Sequence, residues 1–251
     1  MTSTFRIHGK ELGPDEVRRF VTDYKRTTER NPDGRYATLR ELVPRDARVL
    51  DYGCGWGGFS KMLEERGNEV VGIDLGDNEI DICRHVWGES ERLAFRRAAI
   101  TELDPASFDC VVSNEVIEHV HNAGTYLAEI NRVLSPGGTL VISLPNVMTP
   151  RLMLPSFSPR LSGHLRAVAR QTRDGYRKEA DHINAWDAPH FVRLVCTAGF
   201  EFREHLPLEG IALPHTRLLP AYVRLRLLRN LSYVMAFVFV KVDDASIGPY
   251  D

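Results

Sequence analysis

Two groups of residues in this 251-residue chain have types and spacings that could do chemistry. The first is the run Val49-Leu50-Asp51-Tyr52-Gly53-Cys54-Gly55-Trp56-Gly57-Gly58-Phe59. Glycines let a backbone turn sharply and come close to a ligand. Gly53, Gly55 and Gly58 satisfy G-x-G-x-x-G, a pattern that also serves nicotinamide dinucleotides. Asp51 stands two residues before Gly53, where negative charge suits a cationic ligand better than a pyrophosphate. Asp74 follows about 20 residues later, where a carboxylate accepts from ribose hydroxyls. Either aspartate alone is also an ordinary turn or cap residue, so it is the combination with the loop that points to a nucleoside ligand. The second group is Glu115, Glu118 and His119, with Asp181-His182 further on. A helical turn there would put Glu115, Glu118 and His119 on one face, at i, i+3 and i+4. Two glutamates and two histidines (Glu115, Glu118, His119, His182) make a candidate divalent-metal set. Without a metal, His182 is a candidate base or acceptor ligand, and a capping or packing role is the competing reading.

The elements that position these groups follow from periodicity. Val17, Phe20, Val21 and Tyr24 form one stripe of a helix from Pro14 to Arg30, broken by Asn31-Pro32-Asp33-Gly34. A short helix covers Tyr36 to Leu42. Short apolar strands at 48–51, 69–74, 93–98, 108–113 and 139–144 then alternate with helices at 59–65, 79–87 and 125–134. This alternation predicts an α/β layer structure on a parallel sheet. Pro136-Gly137-Gly138 reads as the stop of the last helix. From Met148 to Arg177 the pattern is irregular, with one helix expected at 161–171. A helix from Ala188 to Thr197, a strand from Phe200 to His205, a basic helix at 218–230 and a strand from Tyr233 to Val242 complete the chain, the two strands as a hairpin.

Composition narrows the classes. Hydrophobic residues are 43%, charged residues 26% and the net charge −2, which excludes whole-chain disorder and a uniformly basic nucleic-acid face. Cys54, Cys83, Cys110 and Cys196 form no C-x-x-C pair, so reduced thiols and a cytoplasmic location are expected. The start carries no apolar signal region, and the longest apolar run, Tyr233 to Val240, is far short of the ~20 residues of a membrane helix.

The loop, Val70-Val71-Gly72-Ile73-Asp74, the segment Phe108 to Val120 and Leu134-Ser135-Pro136-Gly137-Gly138-Thr139-Leu140-Val141-Ile142 stand in the order of a known family. From about Val49 to Phe202 the chain resembles class I S-adenosylmethionine-dependent methyltransferases. The resemblance implies a Rossmann-like, seven-stranded, mostly parallel sheet with helices on both faces and an antiparallel last strand. It implies one domain over 1–251: a helical cap (1–44), a cofactor-binding core (45–146), an acceptor-side insertion after strand five (147–187) and a C-terminal part with the basic helix (188–251). It also implies S-adenosylmethionine as cofactor, with Asp51 near its amino group, Gly53 and Gly55 against its backbone and Asp74 on its ribose. Trp56, Leu75, Ile100 and Asn114 complete the expected cofactor set. Ala99 stands where many relatives carry an acidic residue for the adenine amino group, leaving the Ile100 N–H for that contact.

Methyl transfer to a hydroxyl also needs a base or metal to take the proton. His182, His119 and Glu118 are the expected catalytic residues. The Glu-x-x-Glu-His…His pattern, with Pro145-Asn146 and Asp181-His182-Ile183-Asn184-Ala185-Trp186, is similar to small-RNA 2′-O-methyltransferases. Similar residues occur in metal-free relatives acting on quinones, sugars and lipids. The expectation is O-methylation of a sugar, glycolipid or small-metabolite hydroxyl without a firm metal. RNA 2′-O-methylation with a metal, and a non-catalytic cofactor-binding scaffold, are the alternatives. Arg151, Arg160, Arg166, Arg170, Arg173 and Arg177 make the insertion basic, and Arg217, Arg224, Arg226 and Arg229 do the same for the late helix. Such patches suit an anionic or lipid-linked acceptor and are compatible with peripheral membrane contact. His121, His164 and His190 are expected to be structural.

Overall fold

The computed structural model describes residues 4–31, 34–163, 165–166, 168–169, 182–211 and 226–245. It opens on an element the sequence reading did not foresee, a hairpin of β1 (Phe5–Ile7) and β2 (Lys10–Leu12). The turn residues His8 and Gly9 both have positive φ (48° and 74°), as a tight two-residue hairpin requires. The Asn78 side chain accepts from Arg6 N at 2.7 Å and donates to Arg6 O at 2.8 Å, pinning the hairpin to the helix that starts at Asp77. The helices are α1 (Pro14–Glu29), α2 (Arg35–Leu42), α3 (Gly58–Glu64), α4 (Asp77–Trp87), α5 (Ala123–Val133), α6 (Pro150–Met153) and α7 (Ala188–Thr197). Val17 and Val21 of α1 are buried with Phe5, Ile7, Ile82 and Val86. Phe20 and Tyr24, from the same sequence stripe, remain exposed.

The main sheet comprises β3 (Arg48–Tyr52), β4 (Glu69–Asp74), β5 (Leu93–Arg97), β6 (Phe108–Asn114), β7 (Leu134–Pro145), β8 (Phe200–Ile211) and β9 (Ser232–Lys241), in the order β5-β4-β3-β6-β7-β9-β8. Neighbours from β5 to β7 pair in parallel, and β9 runs antiparallel between β7 and β8. The antiparallel last strand and its hairpin with the Phe200 strand are therefore as expected. Alternate side chains serve opposite faces. Leu50, Val111, Leu140 and Ile142 join the core that includes residues of α5 and α7. Val49, Cys110, Val112 and Val141 join the core that includes residues of α2 and α3.

Several boundaries differ for local reasons. The Asn122 side chain accepts from Thr125 N at 3.0 Å, so α5 starts two residues before the expected Thr125. Pro136-Gly137-Gly138 does not stop that helix. It lies inside β7, where pairing with β6 slips between Phe108↔Leu134 and Cys110↔Thr139. β8 runs on to Ile211 through two register shifts that spoil its period-two pattern. Residues 161–163, 165–166 and 168–169 of the expected insertion helix are helical. Positions 170–171, Asp181, His164 and the start of the basic helix lie outside the described residues, and Arg226–Leu231 form a 3₁₀ turn. Among the described residues, no helix is long and apolar enough to cross a membrane.

Candidate active site

Strand order reverses beside β3: the chain steps outward from β3 to β4 and β5, then crosses back to β6 on the other side of β3. Ligands of open α/β sheets bind at such a point, beyond the carboxyl ends of the strands. The glycine loop leaves β3 there. Gly53, Gly55 and Gly57 all have positive φ (80°, 51° and 71°). A Cβ on Gly53 would lie 2.5 Å from Val116 Cγ2, whereas a Cβ on Gly55 would meet nothing within 4 Å. Gly53 is thus needed for close packing, and Gly55 leaves open space. The N–H groups of Gly53 and Cys54 donate to Ile73 O at 2.9 and 3.0 Å, locking the loop to β4.

Asp74 ends β4 and holds two turns. Oδ2 accepts from Gly55 N and Oδ1 from Gly76 N, each at 3.0 Å. Each oxygen keeps a further lone pair for an outside donor. Leu75 beside it is 70% exposed, presenting an apolar surface next to that carboxylate. Ile100 is buried, and the Ala99 N–H donates to Glu102 Oε1 at 2.8 Å.

Asp51 is buried and accepts from Ser60 Oγ at 2.5 Å. Burial pushes its carboxyl up to about 6, the nearby Asp74 charge adds to this, and the Ser60 bond opposes it. It faces a cavity of about 110 Å³ that Gly53, Gly55, Trp56 and Asn114 also line. Ser143 Oγ donates to Asn114 Oδ1 at 2.7 Å and fixes that amide. Sequence reasoning missed the other wall. Tyr24, Lys25 and Thr28 of α1 and Tyr36 of α2 close the cavity. Tyr36 stacks on Phe59 at 5.3 Å, and Tyr24 meets Trp56 edge-on at 5.7 Å. Aromatic faces beside a buried carboxylate form a pocket for a cation.

The second group is only partly brought together. β6 leads into a 3₁₀ turn, Ile117–His119, instead of a helix that includes Glu115. Glu115 has φ 54° and pairs with Arg35, which also binds Glu209 Oε1 through Nε at 2.9 Å. The expected common face therefore loses Glu115. Glu118, His119 and His182 do converge, with one donor atom from each within 4.8 Å of the others. The imidazoles of His119 and His182 are 4.9 Å apart and edge-to-face. The Glu118 carbonyl accepts from Ile183 N (2.9 Å) and Asn184 N (3.1 Å), which carries His182 to this place. Glu118 is 1% exposed, and neither carboxyl oxygen has a hydrogen-bond partner. Burial is the main reason its pKa is pushed up to about 8. His190, by contrast, caps α7 with Asp187, their side chains 2.8 Å apart.

Residues 24–205 match the model of a family described as methyltransferase domain. The chain belongs to that family. It is 30% identical over 162 residues to a ubiquinone biosynthesis O-methyltransferase of Idiomarina loihiensis, covering 58% of this chain and 66% of that one. A protein of the same name from Hahella chejuensis is 40% identical over 103 residues, 39% of this chain and 43% of that one. The chain thus spans between about two-fifths and two-thirds of the length of these methyltransferase relatives. Among solved structures, the 1,6-didemethyltoxoflavin-N1-methyltransferase of Burkholderia thailandensis, holding its substrate and S-adenosylhomocysteine, superposes with TM-score 0.54 at 20% identity. That match covers 97% of this chain and 96% of the other. The fold is the Rossmann-like fold of S-adenosylmethionine-dependent methyltransferases, as the sequence motifs implied.

Proposed function

We propose that the protein transfers a methyl group from S-adenosylmethionine to a hydroxyl of a small acceptor. The observation that carries the cofactor half is the buried Asp51, facing an aromatic-walled cavity beside a glycine loop that Asp74 holds open. When bound, S-adenosylmethionine supplies an electrophilic methyl on a cationic sulfur. Asp51 and the faces of Tyr24 and Tyr36 would meet the cationic methionine end, and Asp74 would accept from the ribose hydroxyls. Leu75 offers apolar contact for the base, the Ile100 N–H would meet the adenine edge, and Asn114 lines the cavity beside Asp51.

Acceptor chemistry falls to Glu118, His119 and His182. An imidazole takes the hydroxyl proton as the C–O bond forms and the C–S bond breaks, leaving a methyl ether and S-adenosylhomocysteine. Glu118 Oε1, 3.8 Å from His119 Nε2, favours the resulting imidazolium once the carboxyl has ionised. The names of the sequence relatives support oxygen as the methylated atom. Sugar, glycolipid and RNA hydroxyls compete with a small phenol-like acceptor in the test. One observation favours a second reading. Two imidazoles and a carboxylate with both oxygens unpartnered form a donor set for a divalent cation, which would acidify the acceptor hydroxyl in place of a base.

The test is transfer of labelled methyl to pools of small phenols, glycans and RNA, with and without chelator. Label in a small-hydroxyl product is expected. His182→Ala should abolish turnover with cofactor affinity unchanged, and normal turnover in that variant would sink the base assignment. Chelator-sensitive turnover would favour the cation reading. No S-adenosylhomocysteine binding would refute the proposal as a whole.

A further inference from the structure

Between β7 and the His182 segment the chain carries a surface outside both the Asp51 cavity and the cluster of Glu118, His119 and His182. Its root is fixed. The buried Asn146 amide donates to the carbonyls of Asn230 (2.8 Å) and Ser232 (3.0 Å), and its Oδ1 accepts from Met148 N at 2.9 Å. Val147 N donates to Trp186 O at 3.2 Å. From this root α6 and a 3₁₀ turn, Leu154–Phe157, present apolar side chains to solvent. Met148, Leu152, Leu154, Phe157, Leu165 and Val168 are six of the eleven exposed large apolar side chains among the described residues. Phe157 is 75% exposed and Leu165 56%. Leu161, Leu165 and Val168 share one helical stripe, at i, i+4 and i+7.

This stretch, like the run from Gly210 to Val242, is also basic. It holds Arg151, Arg160, Arg166, Arg170 and Arg173, and no Asp or Glu occurs from Val147 to Arg173, although the whole chain is slightly acidic. Exposed apolar side chains interleaved with arginines match the boundary between acyl chains and anionic headgroups. The apolar residues distinguish this surface from a phosphate-backbone track, which needs cations and stacking rings instead. A two-fold dimer through the patch would set arginines against arginines with no acid between them.

We propose that the 148–168 segment docks the protein on an anionic lipid bilayer. Leu154, Phe157 and Leu165 enter the interface, and Arg151 and Arg160 meet headgroup phosphates. The proposal stands on this surface and not on methyl transfer. The segment springs from the carboxyl end of β7, so the docked face lies at the strand ends where the acceptor residues stand.

Flotation of the full chain with vesicles tests it. Phosphatidylcholine vesicles containing about one-quarter phosphatidylglycerol should carry the protein, and pure phosphatidylcholine vesicles should not. Salt at about 0.5 M should reduce the bound fraction about tenfold. Arg160→Glu should do likewise, and Phe157→Asp should abolish flotation. Both variants should keep the wild-type thermal melt and S-adenosylhomocysteine affinity, and the melt reports folding even if the cofactor reading fails. Absence of flotation with anionic vesicles, or equal flotation with neutral ones, would overturn the proposal. Vesicle binding unchanged by Phe157→Asp and displaced by RNA would reassign the arginines to nucleic acid. A lipid-free dimer that Phe157→Asp converts to monomer would reassign the surface to a second copy.

Discussion

Replacing Glu118 by Gln should make the stability of the protein less dependent on pH, by an amount that follows from the carboxyl's surroundings. The group is 1% exposed with both oxygens unpartnered. Burial moves its pKa from the usual 4.5 to about 8. The charge of Glu115 adds to the shift, while that of Arg35 pulls the other way. The folded protein therefore holds this proton more tightly than the unfolded chain does. Below about pH 4.5 both states carry it and stability is unaffected. Between about 4.5 and 8 the unfolded chain releases the proton first, and stability falls by about 1.4 kcal/mol per pH unit. At pH 7 the accumulated loss is about 3 kcal/mol, a large share of a typical domain's stability. Urea melts of both proteins in chelator, from pH 5 to 7, should show the Gln variant gaining about 2–3 kcal/mol on the wild type over that interval. A difference that does not change with pH would refute the reasoning, because it would mean that Glu118 is already charged and compensated. A divalent cation, if it binds Glu118, His119 and His182, needs the carboxylate. At about 100 times its Kd it would return about 2.7 kcal/mol at neutral pH and nearly cancel the loss.

Asp51→Asn should stabilise the ligand-free protein at pH 7 by about 2–3 kcal/mol, since the carboxyl's pKa is raised from 3.8 to about 6 and this loss is complete only above that value. The same change should weaken S-adenosylhomocysteine binding at least about tenfold by titration calorimetry, and unchanged affinity would remove Asp51 from the cofactor site. Gly53→Ala should lower stability by about 2 kcal/mol or more and abolish cofactor binding, because φ is 80° and the new Cβ would sit 2.5 Å from Val116. Asp74→Ala should weaken cofactor binding by about 1–3 kcal/mol, through lost ribose contacts and a loosened Gly55, and a binding isotherm matching wild type would overturn that role.

The grouping of Asp51, Gly53, Gly55 and Asp74 was legible in the sequence because it is built from short-range order. Asp51, Gly53 and Gly55 lie within five positions, and the topology that brings Asp74 beside them follows from strand–helix alternation. The acceptor half was not. Helical spacing put Glu115 with Glu118, but Glu115 adopts a left-handed backbone and turns to Arg35, eighty positions earlier in the chain and beyond any periodicity argument. His182 reaches Glu118 because Ile183 and Asn184 donate to the Glu118 carbonyl, a pairing across more than sixty residues. Tyr24 was read as part of a buried stripe, yet α1 buries Val17 and Val21 and leaves Tyr24 free to face Trp56. The β1–β2 hairpin was missed because three-residue strands are too short for alternation to stand out, although Gly9 between Ile7 and Lys10 is a turn signal.

The N-terminal helices join the two halves. α1 and α2 supply Tyr24 and Tyr36 to the cofactor cavity, and the residue before Tyr36 is Arg35. Its guanidinium grips Glu115 at the end of β6 and Glu209 on the extension of β8. Both glutamates have positive φ, 54° and 61°, a backbone state that costs about 1 kcal/mol or more for a residue with a side chain. Burial raises the pKa of Glu209, with Arg35 opposing the shift, so the pair of acids is tolerated only while the arginine stays in place. A ligand that draws Tyr36 toward Asp51 therefore acts on the same short helix that holds Glu115, three residues before Glu118. α2 thus touches both the cavity beside Asp51 and Glu115, a contact between distant segments that neither half of the sequence displays on its own.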